Sequence, residues 1–172
     1  MATSVQDALR TLLGPQPEAE EAWLAARVFL QPFAPGAAVV LEGQRARDLF
    51  LLLEGRLRIG KQRPDKRLER IAYLRPLALL GLASATLGTA HPTTAMALEP
   101  SLCLRLPRGL LRADPADPLS RGPALRLLEA TVRGMNAQLR AVNARLIRLD
   151  DPGEQVDAMA GDLGAWSLPQ DP

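Results

Sequence analysis

From Pro123 onward the apolar residues fall into a fixed step. Leu125, Leu128, Val132, Met135, Leu139, Val142, Leu146 and Leu149 are separated by 3, 4, 3, 4, 3, 4 and 3 residues. A 3–4 alternation keeps side chains on one face of an α-helix, so the spacing predicts a single helix over 123–149. Pro123 suits its first turn, where a missing N–H costs nothing, and Asp150-Asp151-Pro152-Gly153 stops it. At about 1.5 Å per residue the helix is roughly 40 Å long. That outruns a small domain, so much of the stripe needs a partner. A second copy of the same helix, pairing through these residues, is the economical one. The competing reading packs the stripe on the chain's own domain. Gly134 weakens the helix by roughly 1 kcal/mol relative to Ala and would let two backbones approach.

Upstream the period changes. Residues 4–13 read as a short helix, capped by Ser4 and stopped by Gly14-Pro15. Residues 18–30 read as a second, with acids in its first turn, where the dipole favours them, and Trp23, Leu24, Val28 and Leu30 on its apolar face. After the turn Phe33-Ala34-Pro35-Gly36 the apolar runs become short: 39–41, 49–53, 70–74, 93–98 and 101–106. Leu57 and Ile59 alternate with Arg56 and Arg58, and Leu102, Leu104 and Leu106 alternate with Cys103 and Arg105, the period of a half-buried strand. Residues 61–67, KQRPDKR, form a basic hairpin connection. Short strands between Gly- and Pro-marked turns indicate an antiparallel sheet structure. The fold class is α+β, mainly β: an antiparallel β-roll or jelly roll with N-terminal helices and a long C-terminal helix. Residues 1–122 form the roll and 123–149 the dimerisation helix. Residues 150–172 form an acidic tail whose composition predicts disorder.

Composition excludes more than it names. The chain is 47% hydrophobic but only 3% aromatic, so its core is aliphatic. Cys103 is the only cysteine and His91 the only histidine. An internal disulfide and a multi-cysteine metal site are therefore impossible, and no metal or cofactor is expected. No Ser–His–Asp or Cys–His set, glycine-rich phosphate loop or paired carboxylates stand out, so no catalytic residues are assigned and the chain is not read as an enzyme. The net charge of +2 does not point to nucleic acid. The tail carries six acidic residues and no Lys or Arg, which leaves +8 on residues 1–149. Without a signal-peptide layout or an apolar run of about 20 residues, a cytoplasmic protein with no membrane partner is the expectation.

The order of these features resembles the cyclic-nucleotide-binding domain of the CRP/FNR-type bacterial regulators over about residues 15–149. Phe33-Ala34-Pro35-Gly36 with Val39-Val40-Leu41-Glu42-Gly43 resembles the opening turn and strand. Asp48 to Leu57 resembles the most recognisable hairpin, and Leu74 to Glu99 follows the phosphate-binding cassette without a gap. The resemblance implies a ligand pocket at Gly81, Leu82, Ala83, Ser84, His91, Thr93 and Asn136. It also shows where this chain departs. The family's first cassette glycine is Leu77, its ribose-binding Glu is Leu82, its phosphate-binding Arg is His91, and the hydroxyl residue after that is Pro92. Leu82 cannot accept from a ribose hydroxyl, a loss of roughly 1–3 kcal/mol. A histidine neutral near pH 7 is a poor substitute for a bidentate guanidinium. A winged helix-turn-helix, which follows the long helix in the family's regulators, does not fit in the acidic residues after Leu149, so no DNA binding is expected.

Each candidate also has a plainer reading. His91 is a surface loop residue, a remnant anion contact or, as in haem-sensing relatives, an axial ligand. Cys103 is a small apolar filler. Ser84, Thr86 and Thr89 cap a short helix or hold an anion. Asn136 and Asn143 flank a dimer seam or face a base. Arg126, Arg133 and Arg140 form a solvated edge or seat an acidic partner. The expected function is a non-enzymatic regulatory or interaction module, a homodimer with a protein partner. The alternative is a small-molecule sensor that binds a cyclic nucleotide or another ligand in the altered pocket.

Overall fold

The computed structural model describes residues 4–63 and 68–149. Helices α1 (Val5–Leu13) and α2 (Glu18–Ala25) lead into strands β1 (Phe29–Phe33), β2 (Ala38–Val40), β3 (Asp48–Glu54), β4 (Leu57–Gln62), β5 (Leu68–Leu74) and β6 (Leu79–Leu80). Helix α3 (Leu82–Leu87), strands β7 (Thr94–Ala97) and β8 (Ser101–Pro107), and helix α4 (Arg121–Leu149) complete the order. Ser4 caps α1 in a reciprocal box: its hydroxyl accepts from the Asp7 N–H at 3.0 Å while the Asp7 carboxylate accepts from the Ser4 N–H at 3.4 Å, and from the Ser4 hydroxyl at 2.6 Å.

The second helix stops at Ala25, five residues short of the expected 18–30 span. Residues 29–33 instead pair with β8, Phe29 opposite Arg105 and Phe33 opposite Ser101. Amphipathic spacing did not reveal this, because β8 needs a neighbour on that side and the pairing overrides local preference. Pro32 is tolerated there because β1 is an edge strand.

The strands form two antiparallel sheets, ordered β1-β8-β3-β6 and β2-β7-β4-β5. The first is covered on both faces. Leu49, Leu51, Leu104 and Leu106 pack with Leu9, Leu12, Leu24 and Leu127 of the helices. Phe50, Leu52, Leu80 and Cys103 pack on Leu57, Ile59, Ala72 and Ala95 of the second sheet. This sandwiching explains why 49–53 is an unbroken apolar run rather than an alternation. The second sheet has a wet outer face, where Arg56 lies over the Tyr73 ring at 4.5 Å, and β4 alternates over Leu57–Ile59 until its register shifts between Ile59 and Gly60. Cys103 fills the inter-sheet layer, and burial pushes its thiol up to about 12, so it carries no thiolate at neutral pH.

Helix α4 presents two adjoining faces. Pro123, Ala124, Leu127, Ala130 and Thr131 are buried against the roll, and Gln138 Nε2 donates to the Leu79 carbonyl at 3.1 Å. Gly134 belongs to this face: a Cβ there would sit 3.1 Å from Leu82 Cδ1 and 3.3 Å from Leu79 Cδ1. Its close approach is to the chain's own roll, not to another helix. Of the heptad stripe, Leu128 and Met135 are partly buried at the border. Leu125, Val132, Leu139 and Val142 are 58, 60, 59 and 42% exposed. Leu146 and Leu149 lie in the last turns, beyond the described side chains, and the acidic tail lies outside the described residues.

Candidate functional site

The segment resembling a phosphate-binding cassette runs from Leu74 through α3 to Thr94. Leu77 has a left-handed backbone, φ 73, so it keeps a glycine-like conformation with a side chain that costs roughly 1–2 kcal/mol. Gly81 is also left-handed, φ 76, and a Cβ there would lie 3.1 Å from the Asp48 carbonyl oxygen and 3.3 Å from His91 Cε1. The fold itself therefore requires this glycine, whatever binds nearby.

The predicted pocket residues separate. Leu82 is 3% exposed and packs in the helix-side core. It faces α4, not a cavity. Ala83 is exposed and Ser84 is buried. The Thr86 hydroxyl donates to the Leu82 carbonyl at 2.8 Å within α3, and the N-cap, Gly81, offers no side-chain cap; the capping role expected for these hydroxyls is not used. Thr93 is half-buried, and Asn136 and Asn143 are exposed on α4. Arg126 is not simply solvated: it pairs with Glu20 of α2 at 2.6 Å.

His91 is not a surface loop residue. Its side chain is buried, and its backbone pairs with the loop between β2 and β3: the His91 N–H donates to the Gln44 carbonyl at 2.9 Å, and the Gly43 N–H donates to the His91 carbonyl at 2.9 Å. Ala46 N–H donates to the Thr89 carbonyl at 3.0 Å. Residues 43–46 and 89–91 thus form a short ladder, and beside it opens a cavity of about 440 Å³. Val39, Val40 and Phe50 line its apolar side; Gln44, Arg45, Arg47, Asp48 and His91 line its polar side. Of the expected pocket residues only His91 reaches it. Gln44, Arg45, Arg47 and Asp48 were missed by sequence reasoning. The available signal was the Arg-Ala-Arg pattern, in which a fully buried Ala46 leaves its two neighbours outward.

Burial lowers the His91 pKa below its usual value, more than the Asp48 carboxylate raises it. The imidazole is therefore neutral at pH 7. In the unfolded chain it takes up a proton near its ordinary pKa of about 6.5. The unfolded state then binds more protons between the two values, so His91 weakens stability as pH falls below about 6.5. Urea midpoints measured from pH 7.5 down to pH 5 should fall more steeply in the wild type than in His91→Gln. Equal slopes would show that His91 is solvated in the native state.

Comparison with known proteins fits this architecture. Residues 30–113 match the family model of the cyclic nucleotide-binding domain. A Geobacter metallireducens GS-15 protein described as cyclic nucleotide-binding is 18% identical, with a TM-score of 0.64, over 80% of this chain and 99% of its own. The Thermus thermophilus catabolite activator protein is 19% identical, with a TM-score of 0.57, over 81% of this chain and 62% of its own. The regulatory subunit of a cAMP-independent protein kinase A from Trypanosoma brucei is 18% identical, with a TM-score of 0.54, over 70% of this chain and 42% of its own. At these identities the likeness is one of fold, and this chain spans less than two thirds of the latter two. A search of curated proteins gave no match. No helix among the described residues is long and apolar enough to cross a membrane.

Proposed function

We propose that this cyclic nucleotide-binding-type β-roll serves as a non-enzymatic, cytoplasmic regulatory or interaction module that dimerises through α4 and engages a protein partner, with the family's usual cyclic-nucleotide contacts replaced. The observation that carries the reading is the exposed row Leu125, Val132, Leu139 and Val142 beside the face that already packs on the roll. At about 1.5 Å per residue, 29 residues extend roughly 44 Å. A 3–4 repeat continuous over that length matches a copy of itself. Its occupation by a second α4 would remove four large apolar side chains from water.

Light scattering at tens of micromolar tests this. The wild type is expected at twice 18.6 kDa. Leu139→Arg puts a charge in the seam and is expected to yield the monomer with unchanged helical circular dichroism. A wild type already monomeric at that concentration would sink the dimer.

The sensor reading has its own support in the cavity beside His91, whose size suits a small molecule. With Leu82 turned into the core, that ligand is not held as a cyclic nucleotide is in the family.

A further inference from the structure

The wall of the cavity carries an excess of positive charge. Arg45 and Arg47 flank the fully buried Ala46, so both guanidinium groups leave the backbone on the side away from the core. Arg45 is steadied by one bond, its Nε donating to the Gly88 carbonyl at 3.2 Å, and by the bridge of its backbone with Ala90. Arg47 has no side-chain hydrogen bond or ion pair among the described residues, while its carbonyl accepts from the Arg108 N–H at 2.9 Å and fixes the loop. The one acid in the wall, Asp48, is already paired with Arg105 at 2.9 Å. His91 is uncharged at neutral pH. The same cavity is lined by Val39, Val40 and Phe50, the last held edge-on by Phe33 with ring centroids 6.1 Å apart.

We propose that this cavity binds a small organic anion, its carboxylate or phosphate held by Arg45 and Arg47 and its apolar body resting on Val39, Val40 and Phe50. Two guanidiniums on one rigid loop offer fork-shaped donors to a planar or tetrahedral anion. The volume, about 440 Å³, lies within the range of small-molecule sites. The anion is gripped from the β2–β3 loop, where the family resemblance assigns no contact, and not from the positions of Leu82 and His91. This inference rests on the sensor reading and is independent of dimerisation.

Calorimetry on the full chain tests it with phenyl phosphate, benzoate, inorganic phosphate, benzyl alcohol and cyclic AMP. Phenyl phosphate or benzoate is expected to bind with Kd below about 1 mM, and which of them binds more tightly identifies the anion class. Benzyl alcohol and inorganic phosphate are each expected to bind at least tenfold more weakly, since one lacks the charge and the other the apolar body. The double variant Arg45→Gln/Arg47→Gln is expected to lose at least tenfold in affinity at an unchanged melting temperature, because both side chains are exposed. Three results would overturn the proposal: neither organic anion binding below about 10 mM, equal binding by wild type and double variant, or inorganic phosphate binding as tightly as phenyl phosphate. Cyclic AMP binding that survives the double variant but fails in His91→Gln would also overturn it, by placing the anion at the family position. A monomeric protein that still bound phenyl phosphate through the two arginines would refute the dimer and leave this proposal intact.

Discussion

Leu82→Glu, the substitution that would put back the acid on which ribose recognition depends in the resembling family, is expected to destabilise this protein severely and to create no nucleotide contact. Leu82 is 3% exposed, sits in the helix-side core and lies against Gly134 of α4. Truncation alone, in Leu82→Ala, removes a buried isobutyl group and leaves a cavity, at a cost of about 2–5 kcal/mol. Glu adds the desolvation of a carboxyl group with no partner in sight. A loss of about 4 kcal/mol or more at pH 7 is a large share of the 5–15 kcal/mol that holds an ordinary domain together. The pH dependence identifies the cause. Burial raises the folded-state pKa of the new carboxyl above its unfolded value of about 4.3, so the native state binds the extra proton in that window. The penalty relative to wild type should therefore shrink as pH falls through the raised pKa and be smallest below about 4.3. Urea midpoints of wild type, Leu82→Ala and Leu82→Glu at pH 7 and pH 5 provide the measurement. A Glu variant as stable as wild type at pH 7 would mean that residue 82 faces solvent or ligand.

Gly55→Ala is the second large effect. The turn between β3 and β4 holds Gly55 at φ 89, and a Cβ there would meet the Ser101 hydroxyl, the Pro100 carbonyl oxygen at 2.6 Å and Ser101 Cα at 2.7 Å. Two of these three are backbone atoms, and the Ser101 hydroxyl is itself tied to the Glu99 carbonyl at 2.8 Å. The 98–101 connection is also bound to this turn by the Leu98 N–H, which donates to the Arg56 carbonyl at 2.9 Å. One turn or the other must move. Left-handed strain costs roughly 1–2 kcal/mol and overpacking about 1–3 kcal/mol more, so a total near 3 kcal/mol is expected. For a chain of this size that is roughly 10 °C in Tm. Gly36→Ala provides the internal control: φ is 82, but nothing lies within 4 Å of the added Cβ, so only the strain remains. Equal melting temperatures for the two variants would show that the 98–101 connection yields freely.

The two substitutions differ in how much of their basis was legible in the chain itself. Gly55 stands out as the stop after an apolar run, and its turn is where a glycine was needed. The atoms that make it irreplaceable come from a connection more than forty residues later. Leu82 is legible in the sequence as an apolar residue that cannot accept a hydrogen bond, but its burial against α4 depends on how a helix some fifty residues downstream packs, and no local pattern encodes that. His91 was misjudged for the same reason: Ala-His-Pro looks like a loop, and it becomes an interior residue only because residues 43–46 lie across it.

Periodicity by itself determined the β-roll, the first helix and the long last helix, because alternation in 2 and in 3.6 is a property of the local backbone and survives in any environment. Tertiary structure alone decided which side of each element is covered. The last helix shows the division. Its eight stripe residues read in the sequence as one apolar row, yet the face that packs on the roll is a neighbouring one of Ala124, Leu127, Ala130, Thr131 and Gly134, and Leu125, Val132, Leu139 and Val142 of the stripe are left exposed. Small residues carry little hydrophobic signal in a sequence, but they are what allows two backbones to come close, so the roll sits where the side chains are mostly short and larger ones are left exposed beside it.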